Sequence, residues 1–90
     1  MNAMSQYRVR SECVACPYGD GVAILDLNSN AYFSLDSIGA IVWNLLGDEK
    51  SVEEIIDTIS GAYSVPRDTV AEDVSVLLSD LHENGLVEAA

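Results

Sequence analysis

GVAILDLNSNAYFSLDSIGAIVWNLLG, residues 21–47, contains two changes of pattern that decide the fold. Gly21 to Leu27 is aliphatic and rich in β-branched side chains, as a strand requires. Asn28, Ser29 and Asn30 then form a turn cluster suited to left-handed or Asx-type backbone, and Ala31 to Leu35 supplies a short aromatic strand. From Asp36 the period lengthens from two to about 3.6, which sets Ile38, Ile41, Val42, Leu45 and Leu46 on one stripe of a first helix. Asp36 or Ser37 can cap its start. Gly39, one turn from Trp43, lets another element approach closely where the indole packs, so Trp43 is expected in the core.

Upstream, Tyr7 to Val14 alternates apolar and polar residues, and Pro17, Gly19 and Asp20 interrupt the run before Gly21. This predicts a hairpin, and with Ala31 to Leu35 a three-stranded antiparallel meander. Downstream, Gly47 closes the first helix. Ser51 with Glu54 three residues on fits a capping box, followed by Val52, Ile55, Ile56 and Ile59 on one face of a second helix. Gly61, Ser64 and Pro66 break it. Val70, Val74, Leu77, Leu78 and Leu81 then recur at helical spacing until Asn84 and Gly85 provide a stop, after which Leu86 and Val87 pack back as a short tail. Three antiparallel strands followed by three helices is an α+β arrangement that resembles a winged helix-turn-helix.

Ninety residues, 49% hydrophobic and 21% charged, suit a single domain over 1–90, with residues 1–6 expected to be flexible and Met1 to Ala3 read as a cloning remnant ahead of Met4. The net charge of −11 repels phosphate backbones and anionic lipid alike. The longest uncharged stretch, Ser37 to Gly47, is far short of the roughly 20 residues that span a bilayer. No basic segment followed by an apolar one opens the chain, so a cytoplasmic location is expected, with neither membrane nor nucleic acid as partner. The third helix, which would read the DNA groove in a regulator, carries Asp68, Glu72, Asp73, Asp80 and Glu83 against Arg67 alone.

Reaction chemistry has little to work with. Cys13 and Cys16, in CVACP, are expected to be small apolar side chains in or beside a strand, and a zinc site would need two further ligands where only His82 is on offer. His82 is expected to face solvent near a helix carboxy terminus. No nucleophile elbow, phosphate loop or dinucleotide fingerprint occurs, so neither catalysis nor a cofactor or metal is expected. Binding remains. The outer edge of the Ala31 to Leu35 strand carries none of the Lys, Pro or bulge features that usually blunt an edge, so an extended peptide can add there. A proline at Phe33 is expected to remove an edge donor. The same edge permits self-association, so a monomer or weak homodimer is expected.

The segments GVAILDLNSNAYFSLDSIGAIVWNLLG, SVEEII and DVSVLLSDLHENGLV together resemble the PqqD-like peptide-recognition proteins, over roughly Val9 to Val87. The likeness is carried by Leu25 and Asp26, Tyr32 and Phe33, Leu35 to Gly39, Trp43 to Leu46, and Gly85, Leu86 and Val87; the CVACP segment lies outside it. With no fused protease or radical-SAM enzyme, the chain is similar to the free-standing recognition elements of lasso-peptide pathways. The resemblance implies a non-catalytic, winged-helix-like domain that grips the leader of a ribosomally made precursor between its third strand and third helix, and presents the core segment to a leader peptidase or other maturation enzyme. Carried over by position, Ala31, Tyr32, Phe33 and Ser34 supply the strand edge. On the third helix Val74 and Leu77 share a stripe that partly faces the core, while Val76 lies off it between Asp73 and Asp80, where an isolated apolar residue between carboxylates can take an apolar leader side chain and the acids its basic neighbours. A protein-interaction module of another pathway and a winged-helix regulator are the alternative readings.

Overall fold

The computed structural model describes residues 6–89. The expectations for Met1 to Ala3, and for the flexible segment apart from Gln6, lie outside these residues. Eight elements follow in order: β1 (Tyr7–Val9), β2 (Cys13–Tyr18), β3 (Gly21–Asp26), β4 (Tyr32–Leu35), α1 (Ser37–Gly47), α2 (Val52–Tyr63), α3 (Arg67–Glu83) and β5 (Val87–Ala89). The architecture is α+β and winged-helix-like: an antiparallel β2-β3-β4 sheet followed by three helices.

Local chemistry explains each boundary. Tyr18 and Gly21 close a two-residue hairpin in which Gly19, at φ +59°, takes the first central position that a type II′ turn reserves for glycine. Between β3 and β4 the Asp26 carboxylate accepts from the Asn28 amide at 3.0 Å and the Ser29 hydroxyl at 3.1 Å, and Asn30 adopts a left-handed φ of +61°. Asp36 caps α1, its Oδ1 accepting from the Gly39 amide at 2.8 Å. The α2 capping box is complete: the Glu54 amide donates to Ser51 Oγ at 3.2 Å, and the Ser51 amide donates to Glu54 Oε1 at 2.9 Å. Hydrogen bonding to the ionised carboxylate from the Ser51 backbone amide, then from the Ser51 side chain, holds Glu54 below the usual glutamate pKa. Ser51→Ala is expected to lower stability by about 1 kcal/mol, measured as a shift in the denaturation midpoint at constant slope.

The helices end where backbone chemistry requires. α2 runs past Gly61 to Tyr63 and stops at Ser64 in left-handed conformation, φ +54°. Gly61 does not break it, because one exposed glycine costs a helix only about 1 kcal/mol and Ile55, Ile56 and Ile59 are buried. α3 closes in a Schellman motif: the Gly85 amide donates to His82 O, the Leu86 amide donates to Leu81 O at 2.9 Å, and Gly85 sits at φ +75°.

The one correction of topology concerns Tyr7 to Val14. Its alternating pattern reads as one strand, but the chain turns at Ser11 and Glu12, and two strands result. β1 leaves the meander to pair with β5, Val9 opposite Val87 and Tyr7 opposite Ala89, and the Arg10 amide extends that pairing to Leu86 O at 3.1 Å. The hairpin partner of β3 is the CVACPY segment, and the expected tail after α3 is a strand. Alternation determines which side chains share a face and is silent on which strand lies alongside.

Ile24, Val42, Ile55 and Leu81 are completely inaccessible and join the inner face of the sheet to all three helices. Trp43 is in this core. His82 is exposed and meets Tyr7 of β1 edge-on, ring centroids 6.5 Å apart. No described helix is long and apolar enough to cross a membrane.

Candidate functional site

The register of the sheet decides which backbone groups face outward. The Leu27 amide donates to Glu12 O at 3.0 Å, and the Asp26 amide donates to Ala31 O at 2.8 Å. Odd-numbered residues of β3 therefore bond β2 and even-numbered ones bond β4, since hydrogen-bonded pairs alternate along an antiparallel ladder. On β4, Phe33 and Leu35 face Ile24 and Val22 in the ladder, and Tyr32 and Ser34 turn their N–H and C=O groups to the open edge. The expectation for a proline at Phe33 is corrected by the same parity: its N–H points into the ladder, and the edge donors are those of Tyr32 and Ser34.

The sheet has a second edge, on β2, and its chemistry differs. There Cys13, Ala15 and Pro17 face outward by the same parity. The Cys13 amide is already bonded to Arg10 O at 3.2 Å, and Pro17 has no N–H. Only the Ala15 donor is left, so β2 is blunted and β4 is the receptive side.

Alongside β4 runs a trough of about 420 Å3. Phe33, Ser34 and Leu35 form one wall, Asp36, Ile38 and Gly39 of the α1 start its end, and Asp73, Leu77 and Asp80 of α3 the other wall. Gly39 lets α1 begin this close to β4, because a Cβ there would lie 2.9 Å from the Leu35 Cβ. A narrow hollow of about 20 Å3 between Ala31, Tyr32 and Phe33 on one side and Asn84 and Leu86 on the other marks the opposite end of β4. The apolar floor of Phe33, Leu35, Ile38 and Leu77 is thus bordered by three carboxylates with no Lys or Arg among the lining residues. Asp36 is engaged as a cap, whereas Asp73 and Asp80 form no ion pair among the described residues.

The candidate residues distribute unevenly. Phe33, Ser34, Asp73, Leu77 and Asp80 line the trough, and Ala31 and Tyr32 lie at its far end, both exposed. Val74 is buried at 2% exposure and lines a neighbouring apolar cavity of about 210 Å3 with Ile38, Val42, Ile59 and Val70. Val76, 58% exposed, lines neither cavity. At 100° per residue it lies on the flank of the Asp73, Leu77 and Asp80 stripe away from Val74, at the solvent rim. Leu35, Asp36, Ile38 and Gly39 also line the trough, whereas the sequence places them in the strand, the cap and the apolar stripe without assigning them to the site. The signal that could have found them is their clustering at the strand-to-helix junction, the Leu35 to Gly39 segment that also carries part of the family likeness.

Among the described residues no buried side chain is polar or charged, and no three His, Cys, Asp or Glu residues are placed to hold a metal. Cys13 and Cys16 are free thiols, three apart on one extended strand and therefore on opposite faces. Burial, then the Asp26 carboxylate, pushes the Cys13 thiol above its ordinary pKa against the pull of Arg10, which disfavours a reactive thiolate.

An α+β, winged-helix-like fold with one receptive sheet edge beside a helix-walled, acid-rimmed trough defines a binding domain. The chain belongs to the PqqD family: the family described as Coenzyme PQQ synthesis protein D (PqqD) matches residues 21–87. Two curated relatives are each named PqqA binding protein. That of Bradyrhizobium diazoefficiens is 33% identical over 55 residues, 61% of this chain and 53% of its own length. That of Gluconobacter oxydans is 34% identical over 55 residues, 61% of this chain and 57% of its own length. The chain spans little more than half the length of these relatives. Among solved structures, TbiB1 in complex with the TbiA(beta) leader peptide superimposes with a TM-score of 0.86 at 36% identity, covering 92% of this chain and 96% of that one. Lasso peptide synthetase B1 complexed with the leader peptide gives 0.80 at 30% identity, covering 92% and 98%.

Proposed function

We propose that this chain is a non-catalytic adaptor of the cytoplasm that binds the leader of a ribosomally synthesised precursor peptide, of the lasso-peptide class, and delivers it to a leader peptidase or other maturation enzyme. The observation that carries this reading is the outward row of Tyr32 and Ser34 backbone groups beside the trough between β4 and α3. A guest segment pairs with that row as a fourth strand and lays alternate side chains on the floor of Phe33, Ile38 and Leu77. Tyr32 and Ser34 act through the backbone and Phe33 through its side chain on the floor, while Ala31, whose C=O accepts from the Asp26 amide, lies at the end of the row. Val76 and Val74 flank the α3 wall, at the rim and in the core, and Asp73 and Asp80 attract basic leader residues. Residues 1–90 act as one domain, without cofactor or metal. The names of the relatives, a PqqA binding protein and two leader-peptide complexes, support the ligand class.

A DNA-reading role is disfavoured by the α3 charges. Its one Arg, Arg67, is committed to α2, donating to Asp57 at 2.6 Å and also to Glu53. These bonds raise its pKa further and leave no free cation on that helix to meet phosphate.

Fluorescence polarisation with the cognate leader tests the reading. Saturable binding at micromolar Kd or tighter, about −8 kcal/mol or better, is expected, and failure to saturate at high protein concentration would overturn it. Asp73→Asn with Asp80→Asn is expected to weaken binding about three- to tenfold at low salt, at up to about 1 kcal/mol per exposed pair. The difference should disappear at 0.5 M salt as the charges are screened. Equal affinities at low salt would remove the carboxylates from the site.

A further inference from the structure

Backbone pairing along β4 is blind to sequence, so it leaves the register of a guest strand open. A slip of one residue turns every guest side chain to the other face, but a slip of two keeps each hydrogen bond to Tyr32 and Ser34 and each inward side chain inward. The shape of the cleft supplies what the backbone lacks. Tyr32 and Ser34 are the hydrogen-bonding positions of this edge, so Ala31, Phe33 and Leu35 fall at the sites between them, where facing Cα atoms come within about 4.5 Å. A guest residue opposite any of these three points its side chain to the inner face, toward α3. Opposite Leu35 and Phe33 that side chain enters the trough of about 420 Å3. Opposite Ala31 it meets the hollow of about 20 Å3 walled by Asn84 and Leu86, room for about one water molecule.

This wall is anchored from both sides. Leu86 is buried; its amide donates to Leu81 O at 2.9 Å, and its carbonyl accepts from the Arg10 amide at 3.1 Å. The Asn84 amide and its side-chain Nδ2 both donate to Asp80 O, at 3.1 and 2.8 Å. Before Ala31 the chain turns at Asn30, left-handed at φ +61°, so the edge ends here as well. We propose that the α3 C-terminal turn, Asn84 to Leu86, is a register stop for the leader: it admits Gly, Ala or Ser alone opposite Ala31 and ends strand addition there, while bulky apolar side chains enter two and four residues away. The proposal rests on the adaptor reading above. It adds a sequence requirement on the ligand and a fixed point at which the precursor leaves the sheet. Asn84 is a positioning residue, acting through its bulk.

The test is a leucine scan of the synthetic leader of the precursor encoded beside this chain, read by fluorescence polarisation. At one position Leu is expected to weaken binding to the wild type at least tenfold, and two residues from it truncation of a bulky apolar residue to Ala is expected to weaken binding as well. Asn84→Ala opens the hollow, so the penalty for Leu at that position, taken as a ratio to the unsubstituted leader on the same variant, is expected to fall below threefold. Asn84→Asp, of equal size, is expected to keep the penalty. If no position rejects Leu, if the penalty persists in folded Asn84→Ala, or if Asn84→Asp relieves it equally, the register stop is wrong. Binding of the unsubstituted leader would then leave the adaptor reading standing, whereas its failure to bind the wild type would overturn that reading itself. Should Asn84→Ala not fold, Asn84→Ser carries the same expectations.

Discussion

Gly21→Ala is expected to destabilise the domain by about 3 kcal/mol or more, at the upper end of what overpacking costs, and to abolish leader binding with it. A Cβ at Gly21 would lie 1.8 Å from the Leu35 carbonyl oxygen and 2.8 Å from the Asp36 carbonyl carbon. Both obstacles are backbone, so no side chain can rotate away. Relief requires the β4-to-α1 junction to move off β3, and this junction supplies Leu35, Asp36, Ile38 and Gly39 to the trough. Urea denaturation followed by circular dichroism measures the loss, and polarisation with labelled leader measures the site. Wild-type stability in the variant would show that the junction does not depend on the close approach. By contrast, Gly61→Ala on the exposed face of α2, where an added Cβ meets nothing within 4 Å, is expected to stabilise the fold slightly.

Ser34→Pro is expected to reduce leader affinity by five- to 150-fold, the equivalent of about 1–3 kcal/mol, with the fold retained. The Ser34 N–H points out of the sheet, so proline removes a donor offered to the guest and none used by the ladder with β3. The acceptor on the leader is then left unpaired, which costs more than the hydrogen bond contributed. Phe33→Pro supplies the contrast. Its N–H lies in the ladder opposite Ile24, a residue with no accessible surface, and the variant should lose stability before it loses affinity. Strand addition along β4 predicts this division between two adjacent positions. If Ser34→Pro binds as tightly as wild type while remaining folded, the leader does not pair with this edge.

The parts of the site differ in how far the sequence reveals them. β4 is legible because an aromatic pair sits between an Asn-Ser-Asn turn and a capped helix. The α3 wall is legible because Asp73, Leu77 and Asp80 recur at helical spacing. The floor at Ile38 is not, since an aliphatic residue on the apolar stripe of α1 has the same local signature whether it is fully covered or borders a cleft. Val74 and Val76 differ by two positions, yet one is buried and the other exposed. Their separation of 200° around the helix puts them on different sides, but only the placement of α1 and β4 shows which side is the trough.

Local chemistry in the chain itself determined the elements and their ends: the capping box at Ser51 and Glu54, the Asp36 cap, the Gly85 stop, and the change of period at Asp36. These are interactions within a few residues, so they are written in short stretches of sequence. Partner choice among strands belonged to the tertiary structure. The same alternation in Tyr7 to Val14 served two sheets, because burying Leu86 and Val87 drew β1 to β5 and left Cys13 to Tyr18 for the hairpin. Which sheet edge is receptive was decided there as well, since hydrogen-bond parity along β3 is a property of paired strands that neither strand carries alone.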